Sequence, residues 1–213
     1  MVIMSKNNNE LSTKKRILKN AVYLFAQKGY TETTIRELAA AVGLKEASLY
    51  NHFESKNAIL ECILEEYAQV SRNFERTNIP TLKENPTADN ILSCLMLSFP
   101  EDVMEYYIKE LHVIMHEQHR NPIVRKFMTE HYILGTEQVY KSIINKLIEF
   151  GVLRSDMDAD FWAKIHSSLI YAFSSRLLLG IGDSSKDFSG MGMYELMRGA
   201  CNLMLEKCGV RKD

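Results

Sequence analysis

The apolar positions of the first sixty residues follow a helical rhythm that is broken at short intervals. Ile17, Leu18, Ala21, Val22, Leu24 and Phe25 recur at helical spacing and predict a helix from Ser12 to Lys28. Gly29 followed by Tyr30 ends it, the glycine taking a left-handed conformation and the tyrosine packing back. Thr34 with Glu37 three residues on reads as a capping box, opening a short helix over "IRELAAAV" that Gly43 stops. A third short helix, "EASLYNH", follows at once, and Ser55 reads as the N-cap of a long one through "KNAILECILEEYAQVSRNF". The inward positions are Leu38, Ala39, Val42, Leu44, Leu49 and Phe53, with Ala39 small where two helices must approach closely. Two short helices joined by a glycine turn, beneath a longer first helix, make a helix-turn-helix.

Past the fourth helix the pattern changes. Thr77 to Asn90 reads as a polar, proline-punctuated connection, and the remainder predicts helices over 88–98, 101–119, 121–150, 158–179 and 192–207. Pro100 and Pro122 suit first-turn positions, Gly151 stops the third of these helices, and Asp158 caps the fourth. No alternating run predicts a strand, and there is no internal repeat or low-complexity tract. The expectation is an all-α chain: a three-helix N-terminal domain over 1–58 and a larger helical domain over 59–213.

Composition adds little except through its distribution. The chain of 213 residues is 46% apolar and 25% charged, as an ordinary globular protein is. Its net charge of −1 conceals an asymmetry. Residues 1–60 carry nine Lys/Arg against five acids, a net of +4, which leaves −5 for the rest. A basic head on an acidic body fits an N-terminal surface meant for a polyanion. The opening "MVIMSKNNNE" has no apolar segment followed by a small-residue cleavage site, so no signal peptide is expected. The apolar stretch Leu169–Ile181 is interrupted by Ser174, Ser175 and Arg176 and is too short to span a bilayer. Cys62, Cys94, Cys201 and Cys208 form no C-x-x-C pair. Together these predict a reduced, cytoplasmic protein with no membrane partner.

The run "FAQKGYTETTIRELAAAVGLKEASLYNHFESKNAIL" resembles the DNA-binding domain of TetR-type (TetR/AcrR) transcriptional regulators. An aromatic residue and Gly close helix 1, and a Thr-rich cap opens helix 2. A Gly turn follows, then "LYNHF" in the recognition helix and "SKNAIL" opening helix 4. The motif match ends near Leu64. The resemblance implies a homodimer on double-stranded DNA with a palindromic operator, and a small-molecule effector held by the body. It also implies contacts at Thr34 and Arg36 (phosphate or base), at Tyr50 and His52 (backbone phosphate), and at Lys56 (a phosphate clamp). Ala47 and Ser48 are small enough to lie against the groove wall, and Asn51 stands where His or Tyr is common. Lys45 and Glu46 depart from the family pattern. Lys45 replaces a Ser/Thr cap and accepts no backbone N–H, so capping of the recognition helix is expected to be weak. Glu46 repels phosphate unless its carboxylate accepts from a cytosine N4 amine.

For the body, the resemblance implies a dimer interface from the last two helices. The candidates are Trp162, Ile165, Leu169, Phe173 and Leu177, with Leu196, Met197, Ala200, Leu203 and Met204. These helices are too apolar for one buried stripe each. Pocket candidates are Met96, Met104, Tyr107, Leu111, Met115, Phe127, Met128 and Tyr132, an adaptable set suited to a largely apolar effector. For any one of them plain core is the simpler reading. His112, His116 and His119 share a helix face, where a solvated rim is simpler than a metal site, so no metal is expected. No Walker A loop, G-x-S-x-G or H-E-x-x-H occurs, so neither enzyme nor cofactor is expected. The alternative to a ligand-responsive repressor is a ligand-independent DNA binder of the same fold, nucleoid- or division-associated, with an all-helical enzyme a distant third.

Overall fold

In a computed structural model the described residues are 12–74, 79–94, 101–179 and 193–210. The helices are α1 (Thr13–Lys28), α2 (Ile35–Ala41), α3 (Glu46–Tyr50), α4 (Lys56–Phe74), α5 (Ile79–Glu84), α6 (Ala88–Ser93), α7 (Glu101–Glu117), α8 (Pro122–Phe127), α9 (Leu134–Glu149), α10 (Ala159–Leu178) and α11 (Met193–Cys208). No strand occurs among the described residues; Leu153 and Gly209 form one isolated bridge that ties the α9–α10 link to the end of α11. No helix among them is long and apolar enough to cross a membrane.

Local chemistry sets the boundaries of the first four helices. Ser12 caps α1, its hydroxyl accepting from the Lys15 N–H at 3.4 Å. At the other end Gly29, at φ +87°, sends its N–H to the Phe25 carbonyl. Thr34 and Glu37 form the reciprocal capping box of α2. A Schellman ending closes α2: Leu44 N–H bonds Ala39 O at 2.8 Å and Gly43 N–H bonds Ala40 O at 3.1 Å. Gly43 sits at φ +73°, which a side chain would strain. Arg16 of α1 donates to the Val42 carbonyl at 2.8 Å, pinning that turn from beneath. The start of α3, at Lys45, has no side-chain cap. At α4 Ser55 Oγ accepts from Ala58 N–H at 3.1 Å.

Two hydrophobic clusters hold the chain. The first runs without a break from α1–α4 into α7, α8 and Tyr132; Ile17, Leu38, Leu49, Ile59, Leu60, Ile63 and Ile114 are fully buried in it. The second joins α5, α6, α9, α10 and α11 around Leu82, Ile143, Ile144, Leu147, Met197 and Cys201. Ile170 and Leu177 of α10 lie against both. The head is therefore packed on the end of the body nearest α7.

Two elements differ from the expected pattern. The polar link after α4 contains α5, a six-residue helix anchored by the fully buried Leu82. The expected helix over 121–150 is interrupted by a π-helical turn, Met128–Ile133, in which Leu134 N–H reaches back five residues to Thr129 O. The inserted residue shifts the buried face, so that Met128 and Tyr132 point inward while Ile133 and Leu134 are exposed. Neither feature has a period of its own in so short a stretch.

The bare start of α3 gives a stability prediction. Lys45→Ser should supply the missing acceptor and raise unfolding stability by about 0.5–1 kcal/mol, read from urea denaturation. No gain would mean that the α3 start needs no cap.

Candidate functional site

The helix-turn-helix presents its polar residues on one outer surface. Leu49 and Phe53 are buried beneath α3, which leaves Lys45, Glu46, Ala47, Tyr50, Asn51 and His52 exposed and Ser48 half-buried. Thr34 and Arg36 at the start of α2 are exposed as well. The Thr34 hydroxyl is already engaged: it accepts from Glu37 N–H at 3.2 Å and donates to the Glu37 carboxylate at 3.0 Å. Lys28 bonds the other oxygen of Glu37, and together these hold the Glu37 carboxyl down at about 2.

Lys56 is placed differently from its expected role as a free clamp. Its ammonium donates to the carbonyls of Tyr30 (2.8 Å), Thr31 (3.3 Å) and Thr33 (2.9 Å), which uses all three protons, and it lies 4.4 Å from the centre of the Tyr30 ring. In the protein without DNA it organises the α1–α2 loop, and any phosphate contact through the ammonium would have to displace one of these bonds. Tyr30 extends the node. Its phenol donates to Asn57 Oδ1, its ring packs edge-on against Phe25, and its N–H donates to Glu117 Oε1 at 3.3 Å. Glu117 is the last residue of α7 and is almost wholly buried. The end of a body helix is thus bonded to the backbone of the head. The sequence reading did not single out Glu117; a signal that could have found it is a pair of acids seven apart, at 110 and 117, beside Leu111 and Ile114.

A second cluster centres on Tyr67 of α4, a residue that the pattern did not single out. Its ring stacks on Tyr107 at 4.6 Å, and Tyr132 and Phe127 both lie 6.2 Å away. The Tyr107 hydroxyl donates to that of Tyr67 (2.7 Å), and the Tyr132 hydroxyl bonds Ser174 (2.5 Å), which donates to Ile170 O. Tyr107, Phe127 and Tyr132 of the pocket candidates meet here; Leu111, Met115 and Met128 are buried in the same apolar cluster. Met96 and the side chain of Met104 lie outside the described residues. Beside Tyr67 and Tyr106 lies Glu110, 3% exposed, whose Oε1 has no hydrogen-bond partner. Burial, and after it the charge of Glu66, pushes its carboxyl up to about 9.

The two C-terminal helices sort the interface candidates into two groups. Trp162, Phe173, Met197 and Met204 are buried within the chain, in the second cluster. Leu196 and Leu203 are exposed, and Ile165, Leu169, Leu177 and Ala200 are half-buried. Phe161 (54% exposed) and Leu179 (72%) join that outward face and were missed, because helical spacing gives two apolar faces without saying which is inward. The histidines do not assemble: His116 and His119 are exposed, and the His112 and His116 rings lie parallel at 6.1 Å. Among the described residues no three His, Cys, Asp or Glu side chains gather to hold a metal ion.

Glu110 makes stability pH-dependent in a defined direction. Unfolded, its carboxyl loses the proton near 4.5; folded, it keeps it to about 9. The native state therefore binds more protons across that window, and stability falls as pH rises through it. Glu110→Gln should remove this term, so its melting temperature should gain on the wild type by several degrees between pH 5 and pH 9. A gap that does not change with pH would contradict the assignment.

Comparison with known proteins agrees with this geometry. Residues 17–63 match the family profile described as bacterial regulatory proteins, tetR family. The HTH-type transcriptional regulator YerO of Bacillus subtilis (strain 168) is 27% identical over 169 residues, covering 77% of this chain and 57% of YerO, so the match spans less than two thirds of that protein. IcaR of Staphylococcus aureus, the HTH-type negative transcriptional regulator of the biofilm operon icaADBC, is 28% identical over 169 residues, covering 70% of this chain and 88% of IcaR. The fold is shared with a protein from Mesorhizobium loti MAFF303099 described as a TetR-family regulator (TM-score 0.68, 17% identity, 93% of this chain and 97% of that one). It is also shared with a regulator from Saccharomonospora viridis solved in complex with choline (TM-score 0.63, 23% identity, 93% and 98%). Residues 17–63 therefore carry a helix-turn-helix of the tetR family of bacterial regulatory proteins, and the chain shares its fold with the two solved structures.

Proposed function

We propose that the protein is a homodimeric repressor that leaves a palindromic operator when a small, largely apolar effector binds in its body. The observation that carries this reading is Tyr67. It sits at the centre of the body's aromatic cluster, yet belongs to α4, the helix whose first residue organises the head. A molecule that displaces the rings around Tyr67 acts on α4 directly. Coupling then requires only that the effector bind one setting of the head better than the other.

In this reading residues 1–58 form the DNA-binding domain and 59–213 the effector-binding and dimerisation domain. α3 enters the major groove, with Ala47 and Ser48 against the groove wall and Lys45, Tyr50, Asn51 and His52 on bases and phosphates. Arg36 and the N-terminal turn at Thr34 take a flanking phosphate. Lys56 serves chiefly by fixing the loop that positions Thr34. Glu46 favours cytosine at the base it meets and weakens non-specific binding. Dimerisation uses the outward face of α10 and α11, with Phe161, Ile165, Leu169, Leu196, Ala200 and Leu203 in contact and Trp162, Phe173, Met197 and Met204 supporting them from behind. That IcaR is a negative regulator supports repression, and that the S. viridis protein holds choline supports a small-molecule effector.

Selection of bound fragments from random DNA by the full-length protein tests this. It should return inverted half-sites separated by about one helical turn. Tyr50→Phe and Arg36→Ala should each weaken operator binding by about tenfold. Glu46→Lys should strengthen binding to unrelated DNA and steepen its salt dependence by about two charges per subunit. Fragments without a palindrome, or affinity indifferent to all three substitutions, would sink the reading.

A further inference from the structure

The angle of α3 is set largely from outside α3. It is a helix of five residues, too short to hold its shape alone, with Leu49 as its buried residue and no side-chain cap at Lys45. The turn before it is closed by backbone bonds to Ala39 and Ala40, from Leu44 at 2.8 Å and from Gly43 at 3.1 Å. These bonds tie the turn to α2. The carbonyl of Val42, the residue that ends α2 at φ −109° and ψ 7°, takes its partner from a different helix.

That partner is Arg16 of α1, whose Nη2 donates to Val42 O at 2.8 Å across 26 positions of sequence. Arg16 is itself held in place. Its N–H bonds Ser12 O at 3.1 Å, its carbonyl accepts from Asn20 Nδ2 at 2.9 Å, and Ile17 and Leu18 beside it are buried. Two positions earlier, the Lys14 ammonium lies 5.1 Å from the centre of the Phe53 ring. Val42 precedes α3 and Phe53 follows it, so α1 touches the chain at both ends of the recognition helix. The two contacts are unequal. An ammonium over a ring tolerates small displacements, whereas a bond from a guanidinium to a carbonyl weakens steeply with angle. Arg16 is otherwise exposed, among the exposed Lys14, Lys15 and Lys19, so core packing does not call for an arginine there.

We propose that Arg16 is a positioning residue for DNA recognition. It fixes the turn between α2 and α3, and through the turn the angle at which α3 meets the groove, rather than neutralising a phosphate. This rests on the reading that the helix-turn-helix binds a specific site. The guanidinium is a planar fork, so its bond to Val42 O holds the turn in direction as well as in distance. Glu46, the first residue of α3, follows Val42 by four positions, and Gly43 at φ +73° lies between them. Without the Arg16 bond the turn is tied to α2 alone, and α3 can rock about Leu49. Hydrogen bonds to base edges do not survive such rocking, whereas attraction to the phosphate backbone does.

The test compares Arg16→Met, which removes donor and charge, with Arg16→Lys, which keeps the charge on a shorter stem without the fork. Without DNA, the Gly43 and Leu44 amides of full-length Arg16→Met should exchange at least about fivefold faster than in the wild type, and those of Arg16→Lys by a smaller factor. The amides of α1 should stay as they are. Affinity for the selected DNA site should fall about tenfold in Arg16→Met and less in Arg16→Lys, in step with the turn, while affinity for an unrelated duplex stays within about threefold. The slope of log affinity against log salt should not change, whereas a lost phosphate contact lowers it by about 0.9 per subunit. A slope that falls by that amount makes Arg16 a phosphate contact and overturns the assignment. Weaker binding without faster exchange in the turn overturns it too, as does faster exchange with affinity intact. Arg16→Lys carries the comparison if Arg16→Met does not fold. If the wild type does not distinguish the selected site from unrelated duplex, the specific-binding reading fails and takes the assignment with it. If the wild type distinguishes them and both variants do so equally well, only the Arg16 assignment fails.

Discussion

The bond between Glu117 and the Tyr30 N–H determines how the two ends of this molecule are joined. It is a modest contact, 3.3 Å long, but both partners are buried and each is committed to a different part of the chain. Tyr30 belongs to the α1–α2 loop, which Lys56 gathers by three carbonyls; Glu117 ends α7. A bond from a carboxylate to a backbone amide in a dry setting is worth more than its surface counterpart, and the same oxygen also meets the His116 ring nitrogen at 3.3 Å. Head, α4 and α7 therefore meet at one point. The same apolar cluster continues from the head core into α7 and α8, so the contact is supported on all sides.

From this point α4 and α7 lead back into the body. α7 carries Tyr107 and Glu110 at its middle and Glu117 at its end, and α4 carries Tyr67 in the body and Lys56 at the head. Both helices run between the aromatic cluster and the node. Tyr132, whose ring lies against Tyr67, bonds Ser174 of α10, the helix whose outer side is the proposed dimer face. In the proposed mechanism a change at the rings acts on α4 and α7, which join the head, and on α10, which carries the proposed dimer face. Sub-ångström shifts suffice when packed helices move as units.

Much of the head was legible because its signals are local. A capping box, a left-handed glycine and a four-residue apolar period each state a boundary within a few residues, and Thr34–Glu37, Gly43 and Leu49–Phe53 sit where they imply. The uncapped start of α3 was legible for the same reason, from Lys45 alone. What the chain conceals is long-range. Tyr67 reads as one more apolar position in the stripe of α4, and only folding sets it against residues 40 and 65 positions away. Lys56 stands where the family resemblance implies a phosphate clamp, yet its ammonium is turned inward to carbonyls that precede it by more than twenty residues. Trp162 and Phe161 are adjacent and both aromatic; one is core and the other surface, which periodicity on an all-round apolar helix does not decide. The π-turn at Met128–Ile133 escaped because one inserted residue leaves no pattern.

If the Glu117–Tyr30 contact joins head and α7 into one unit, the two must open together. Hydrogen exchange of the protein without DNA tests this directly, comparing peptides over 30–42 in the head with peptides over 111–117 in α7. The account predicts one opening free energy for both segments, lowered in both by Glu117→Ala. Exchange of the head segment through an opening that leaves α7 fully protected, and that Glu117→Ala does not alter, would contradict it.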